Sequence, residues 1–224
     1  MSTHVSASAR LSAACREQLR EQAGLSLDPA AELGRLGVFL DSERIDVLAL
    51  REMTSAPAVS SVLGALAPGE FGRACGLLAG PGAAIPAQHA LAESALAELA
   101  AAVTAANAWL ATATRDIIAR AFMQAAGELD YTVSVCRGAT ATRVELCRDD
   151  EPVLLRIHDG GDVDVDHAGP AGATGGQQLL RLEQAIARRG ILLANRRQRY
   201  GDAAGGGTLI AGAAARGDAS LARA

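Results

Sequence analysis

The sequence predicts an α+β protein: an Ala-rich helical N-terminal part followed by an antiparallel four-stranded meander covered by helices. Two observations lead there. Alanine fills 50 of the 224 positions, yet only two of those alanines fall between Tyr131 and His167, where Val, Leu and Ile replace them. At Tyr131 the apolar period also changes, from the 3.6 residues of a helix to the alternation of a half-buried strand. Composition narrows the class further. There is no glycine period of the kind a fibre needs, and 50% hydrophobic content with a net charge of -4 is wrong for a wholly disordered chain.

The helical part is punctuated by aspartate and proline. Ser8 reads as the N-cap of a first helix over residues 8–24, with Leu11, Cys15 and Leu19 on one face. Asp28 followed by Pro29 repeats the start signal, and Leu33, Leu36 and Phe39 follow at threefold spacing. Asp41 reads as the cap of a segment carrying Ile45, Leu48 and Leu50, and Pro57 and Pro68 mark two more short pieces over 59–66 and 70–78. Together they make residues 1–86 a short-helix region, closed by a loop at 80–86 with two glycines and two prolines.

Residues 87–130 form the longest uninterrupted helical signal, about 60 Å if straight at about 1.5 Å per residue. Leu96, Leu99, Val103, Ala106, Leu110, Ala113 and Ile117 alternate spacings of three and four, the a/d seam of a coiled coil. Self-association through this helix is the functional expectation, with Leu96, Leu99, Val103, Leu110 and Ile117 as its contact residues. The alternative is that the earlier helices of the same chain cover the seam. Trp109, Phe122 and Met123 read as core anchors, because aromatics make up only 3% of the chain.

Four strands are expected at 131–137, 141–148, 152–158 and 162–167. A two-residue loop at Ala139 and Thr140 pairs Val135 with Val144, and one at Asp149 and Asp150 pairs Leu146 with Val153. The third loop must be Asp159, Gly160 and Gly161, since a two-residue loop would set Ile157 against Asp164. A helix at 177–189 should cover the sheet, with Leu179, Leu182 and Ile186 in one stripe, and strands at 191–194 and 208–210 should follow. Residues 131–213 are thus a β-meander and helix module, and 214–224 a flexible tail.

Three sites stand out. The register places Asp162, Asp164 and Asp166 on one outer face with His158 and His167 nearby and Arg156 opposite Asp164, a donor set suited to a divalent cation or to acid-base work. Arg188, Arg189, Arg196, Arg197 and Arg199 give five positive charges in twelve residues beside Tyr200, suited to a polyanion such as nucleic acid. The glycines at 169, 172, 175 and 176 precede a helix but lack phosphate-loop spacing, and the chain has no lysine.

No G-x-S-x-G or H-E-x-x-H pattern occurs, and Cys15, Cys75, Cys136 and Cys147 form no C-x-x-C pair. No cofactor is implied. The first ten residues lack the apolar core of an export signal, and the apolar stretch 94–114 contains Glu98 and Asn107, so no membrane span and a cytoplasmic location are expected. The leading functional expectation is a non-enzymatic interaction or scaffold protein, acting through helix-mediated association with itself or a protein partner and through the small α+β module. A nucleic-acid accessory protein using residues 188–200 and a metal-dependent enzyme centred on Asp162, Asp164 and Asp166 are the alternatives.

Overall fold

The computed structural model of the chain describes residues 2–42, 45–80, 85–149, 151–168, 173–201 and 208–209. Its secondary structure opens with a strand, β1 (Ser2–Leu11), where the sequence reading placed a helix capped by Ser8. The reason is in the alternation: Val5 and Ala7 are buried while His4, Ser6 and Ser8 between them are half-buried. Helix α1 (Ala13–Ala23) starts only after Ser12, whose hydroxyl accepts from the Cys15 amide at 3.3 Å.

The next helices follow their caps. In α2 (Pro29–Leu40) the Asp28 carboxylate accepts from the Ala30 amide at 3.1 Å. In α3 (Val47–Ser55) the cap is Asp46, accepting from Ala49 at 2.8 Å, whereas Asp41, expected to start this helix, ends the preceding one. Both α4 (Pro57–Leu66) and α5 (Pro68–Leu78) begin on proline, whose missing N-H is no loss in a first turn. Arg51 satisfies the carbonyls at the end of α5, donating to Leu78 and Gly80 at 2.8 and 2.7 Å.

Helix α6 (Ile85–Glu128) is unbroken over 44 residues. By length and composition alone, its span Gln88–Glu128 is apolar enough to cross a membrane.

The chain divides into two compact units. Residues 16–110 form a helical unit, and 1–15 with 111–224 form the second, so α6 contributes to both. In the helical unit Leu33, Leu50, Val62, Leu63 and Ala74 are buried with Ala95, Leu99, Ala102 and Ala106 of α6. Arg73 pairs with Glu98 at 2.9 Å.

The second unit is built on one antiparallel sheet containing β2 (Thr132–Arg137), β3 (Ala141–Arg148), β4 (Glu151–His158), β5 (Asp162–Ala168), β6 (Ile191–Gly201) and β7 (Thr208–Leu209), as well as β1. The order among the described residues is β2-β3-β4-β5-β1-β6-β7. The expected meander is therefore one part of a larger sheet, not a four-stranded sheet by itself. Its register is as the alternation requires: Val135 faces Val144, Leu146 faces Val153, Ile157 faces Val163 and Leu155 faces Val165. Gly160 and Gly161 take φ of 86° and 93° in the third turn, which a side chain disfavours.

β1 then enters between β5 and β6, antiparallel to both. Val5, Val144, Leu146, Val153, Leu155, Ile157, Val163 and Ile191 are 0–2% exposed, and within the same unit Ile118, Phe122 and Ala125 of α6 and Leu182 and Ile186 of α7 (Ala173–Arg188) are 0–3% exposed. Phe122 is a core anchor, as expected, but Met123 is 37% exposed. Arg115 is 6% exposed and ties two turns together, donating to the Ala139 carbonyl at 3.0 Å and to Asp159 at 2.8 Å.

Candidate functional site

The other face of the sheet carries polar columns, and the insertion of β1 assembles them. Its alternation points His4, Ser6 and Ser8 outward, and its register sets them against Asp166, Asp164 and Asp162 of β5. On the opposite side β6 places Arg199 beside His4 and Arg197 beside Ser6. β4 adds Arg156, opposite Asp164, as the sequence pairing requires.

The columns are joined side chain to side chain. His4 Nδ1 lies 2.6 Å from Asp166 Oδ1, and His4 Nε2 lies 3.1 Å from Ser6 Oγ. Ser6 Oγ donates to Asp164 Oδ1 at 2.7 Å, and His158 Nε2 reaches the second oxygen of the same carboxylate at 2.9 Å. Ser8 Oγ donates to Asp162 at 2.8 Å. Burial pushes the Asp164 carboxyl upward, but the bonds from Ser6 and His158 and the charges of His158 and His4 outweigh it and hold Asp164 below the ordinary carboxylate value. A shallow groove runs alongside, lined in part by Ser6, Ser8, His158, Asp164, Asn195 and Arg197.

The aspartate column and His158 are thus brought onto one face as the sequence reading placed them. They engage hydroxyls and imidazoles, and no cluster of three or more His, Cys, Asp or Glu suited to a metal ion occurs among the described residues. His167 lies apart from them, 4% exposed on the inner face, because Val153 is its register partner. Arg156 forms no ion pair with Asp164; the diagonal neighbour His158 takes that carboxylate instead.

The arginine cluster is split. Arg189 follows the last residue of α7, donates to the Ala185 carbonyl at 2.9 Å and pairs with Glu128. Arg188 is exposed in the last turn of α7, where a cation complements the helix dipole. On β6 a bulge intervenes: Ser6 and Ser8 of β1 are two apart, while their partners Arg197 and Ala194 are three apart. The extra residue lets Asn195 take a φ of 54° and turns Arg196 to Glu183 of α7 at 2.8 Å, leaving Arg197 exposed on the outer face. Burial pushes the Glu183 carboxyl up against the pull of Arg196. Arg199 and Tyr200 lie on β6 beyond the bulge; the positions of their side chains lie outside the described residues. The glycine stretch at 169–172 and the tail at 214–224 also lie outside them.

Along α6, Leu99, Leu110 and Ile117 are 1%, 9% and 4% exposed, and Leu96 and Val103 are half-buried. The chain itself therefore occupies most of the seam. Sequence reasoning missed His4, Ser6 and Ser8, although the alternation H-V-S-A-S-A over residues 4–9 is a strand signal. No protein-family model matches the sequence, and no curated protein resembles it at a significant level.

Proposed function

We propose that the protein acts as an interaction module and that its working surface is the outer face of the sheet, not the α6 seam. One observation carries this reading: the face is lined by charged columns already fixed by mutual hydrogen bonds, so little ordering entropy is lost when a partner binds. Buried seam residues such as Leu99 support the same choice, since they have no surface left to offer. Arg156 and Arg197 form no ion pair among the described residues and stand on either side of the Asp and His columns. The partner that fits is a protein surface of mixed charge, including that of a second copy.

Light scattering and in-cell cross-linking of the full chain test this. Wild type should associate with itself or with one protein partner. Joint replacement Arg156→Glu and Arg197→Glu should weaken that association about tenfold or more, while Leu96→Glu with Val103→Glu should not. A strictly monomeric chain that cross-links to nothing, or one whose association depends on the seam alone, overturns the reading.

A further inference from the structure

Three of the outer-face residues are connected in an order that has chemical meaning beyond binding. Asp166 holds Nδ1 of His4 at 2.6 Å, and the opposite ring nitrogen, Nε2, lies 3.1 Å from the Ser6 hydroxyl. A carboxylate on one imidazole nitrogen fixes the tautomer that leaves the other free to take a proton from a hydroxyl. The spacing is what a strand provides: His4 and Ser6 are two residues apart on one face, and β5 supplies the carboxylate from the adjacent strand.

Two further features surround Ser6. The groove beside it is lined by Arg197 and Asn195, so a group at the hydroxyl would meet a guanidinium free of any ion pair among the described residues. That arrangement exists because β6 bulges there, with Asn195 in the left-handed region. Bulges and positive φ at a non-glycine residue collect next to reacting groups, where they aim a side chain the regular ladder would aim elsewhere.

The geometry points to Ser6 as a nucleophile for acyl transfer, with an activated ester as substrate class. This goes beyond the binding role above and does not depend on it. His4 and Ser6 are the catalytic residues, Asp166 the positioning residue and Arg197 the group that meets the charge developing on the carbonyl oxygen. As Ser6 Oγ bonds to the acyl carbon, its proton passes to His4 Nε2 and the carbonyl electron pair moves onto oxygen. Collapse breaks the bond to the leaving alkoxide, which takes the proton from His4. Water then adds to the acyl-serine, giving its proton to the same nitrogen, and the carboxylic acid leaves as Ser6 recovers its hydrogen. At rest that hydrogen points to Asp164 at 2.7 Å, so rotation about the Cβ–Oγ bond toward His4 precedes attack.

The test uses the full-length protein with a fluorophosphonate, which phosphonylates activated serines, and with p-nitrophenyl butyrate as ester. The label should map to Ser6, be absent after heat denaturation, and disappear in Ser6→Ala. His4→Gln and Asp166→Asn should label roughly tenfold or more slowly, with Asp166→Glu recovering part of the rate, and ester turnover should follow the same order. Mapping on the wild type is decisive even if a variant fails to fold. Label absent from Ser6, or spread over other serines at equal rates, would falsify the proposal, as would labelling at Ser6 that is indifferent to both His4 and Asp166.

Discussion

Gly190 sits where α7 hands the chain to β6, with a φ of 82°, and a Cβ added there would stand 2.3 Å from Ser12 Oγ and 2.9 Å from Cys15 Sγ. Gly24 also has a positive φ, of 67°, but a Cβ added there would meet nothing within 4 Å. Gly24→Ala should therefore cost about 1 kcal/mol, for backbone conformation alone, and Gly190→Ala distinctly more. Urea denaturation of the two variants checks this, and equal losses would contradict the close approach. Asp164 gives a second residue-scale prediction. Its folded-state pKa lies below the unfolded one, so its stabilisation is full above the unfolded value and is lost as pH falls through the folded value, from about pH 4 downward. Asp164→Asn should melt below wild type at pH 6, and the gap should close on acidification; a gap constant from pH 6 to pH 2.5 would show that Asp164 is not held by Ser6 and the two histidines. The aspartate column itself was legible in the sequence, because alternation with valine sends all three carboxylates to one side. Its partners were not, because His4, Ser6 and Ser8 lie 154 to 162 residues away along the chain.

At the scale of elements, the strands and helices differ in how much their own residues decide. The three turns of the meander are so short that the apolar alternation admits a single register, and the pairing of Leu155 with Val144 and Val165 follows from it. Helix α6 is a different case. Its spacing of apolar residues defines a stripe but not what lies against it, and the buried line runs through Ala92, Ala95, Leu99, Ala102 and Ala106, beside the larger Leu96 and Val103. Leu99→Ala should accordingly cost about 2 to 4 kcal/mol and Val103→Ala well under half of that. Thermal or chemical unfolding of each variant measures the difference, and a seam that works mainly between molecules would instead give a loss that depends on protein concentration.

At the scale of the whole chain, the sheet unit is discontinuous: it takes residues 1–15 from one end and 111–224 from the other. Without β1, the edges of β5 and β6 would lie unpaired at the middle of the sheet. A fragment of residues 131–224 should therefore fail to fold, and one of 111–224 should fold only when a peptide of residues 1–15 is added in trans. Circular dichroism and amide exchange on the mixture check this; a fragment 111–224 that folds unaided would mean that β1 is dispensable. Local pattern alone determined the α+β class, the meander with its register and the face on which Asp162, Asp164 and Asp166 stand, because these depend on neighbours only a few residues apart. Tertiary structure alone decided that a ten-residue N-terminal strand fills the gap between β5 and β6, that β6 bulges at Asn195 and parts Arg196 from Arg197, and that Ser6, His4 and Asp166 meet. Those are contacts across most of the chain's length, and strand pairing at that distance is selected by the fit of the assembled sheet, which no local period encodes.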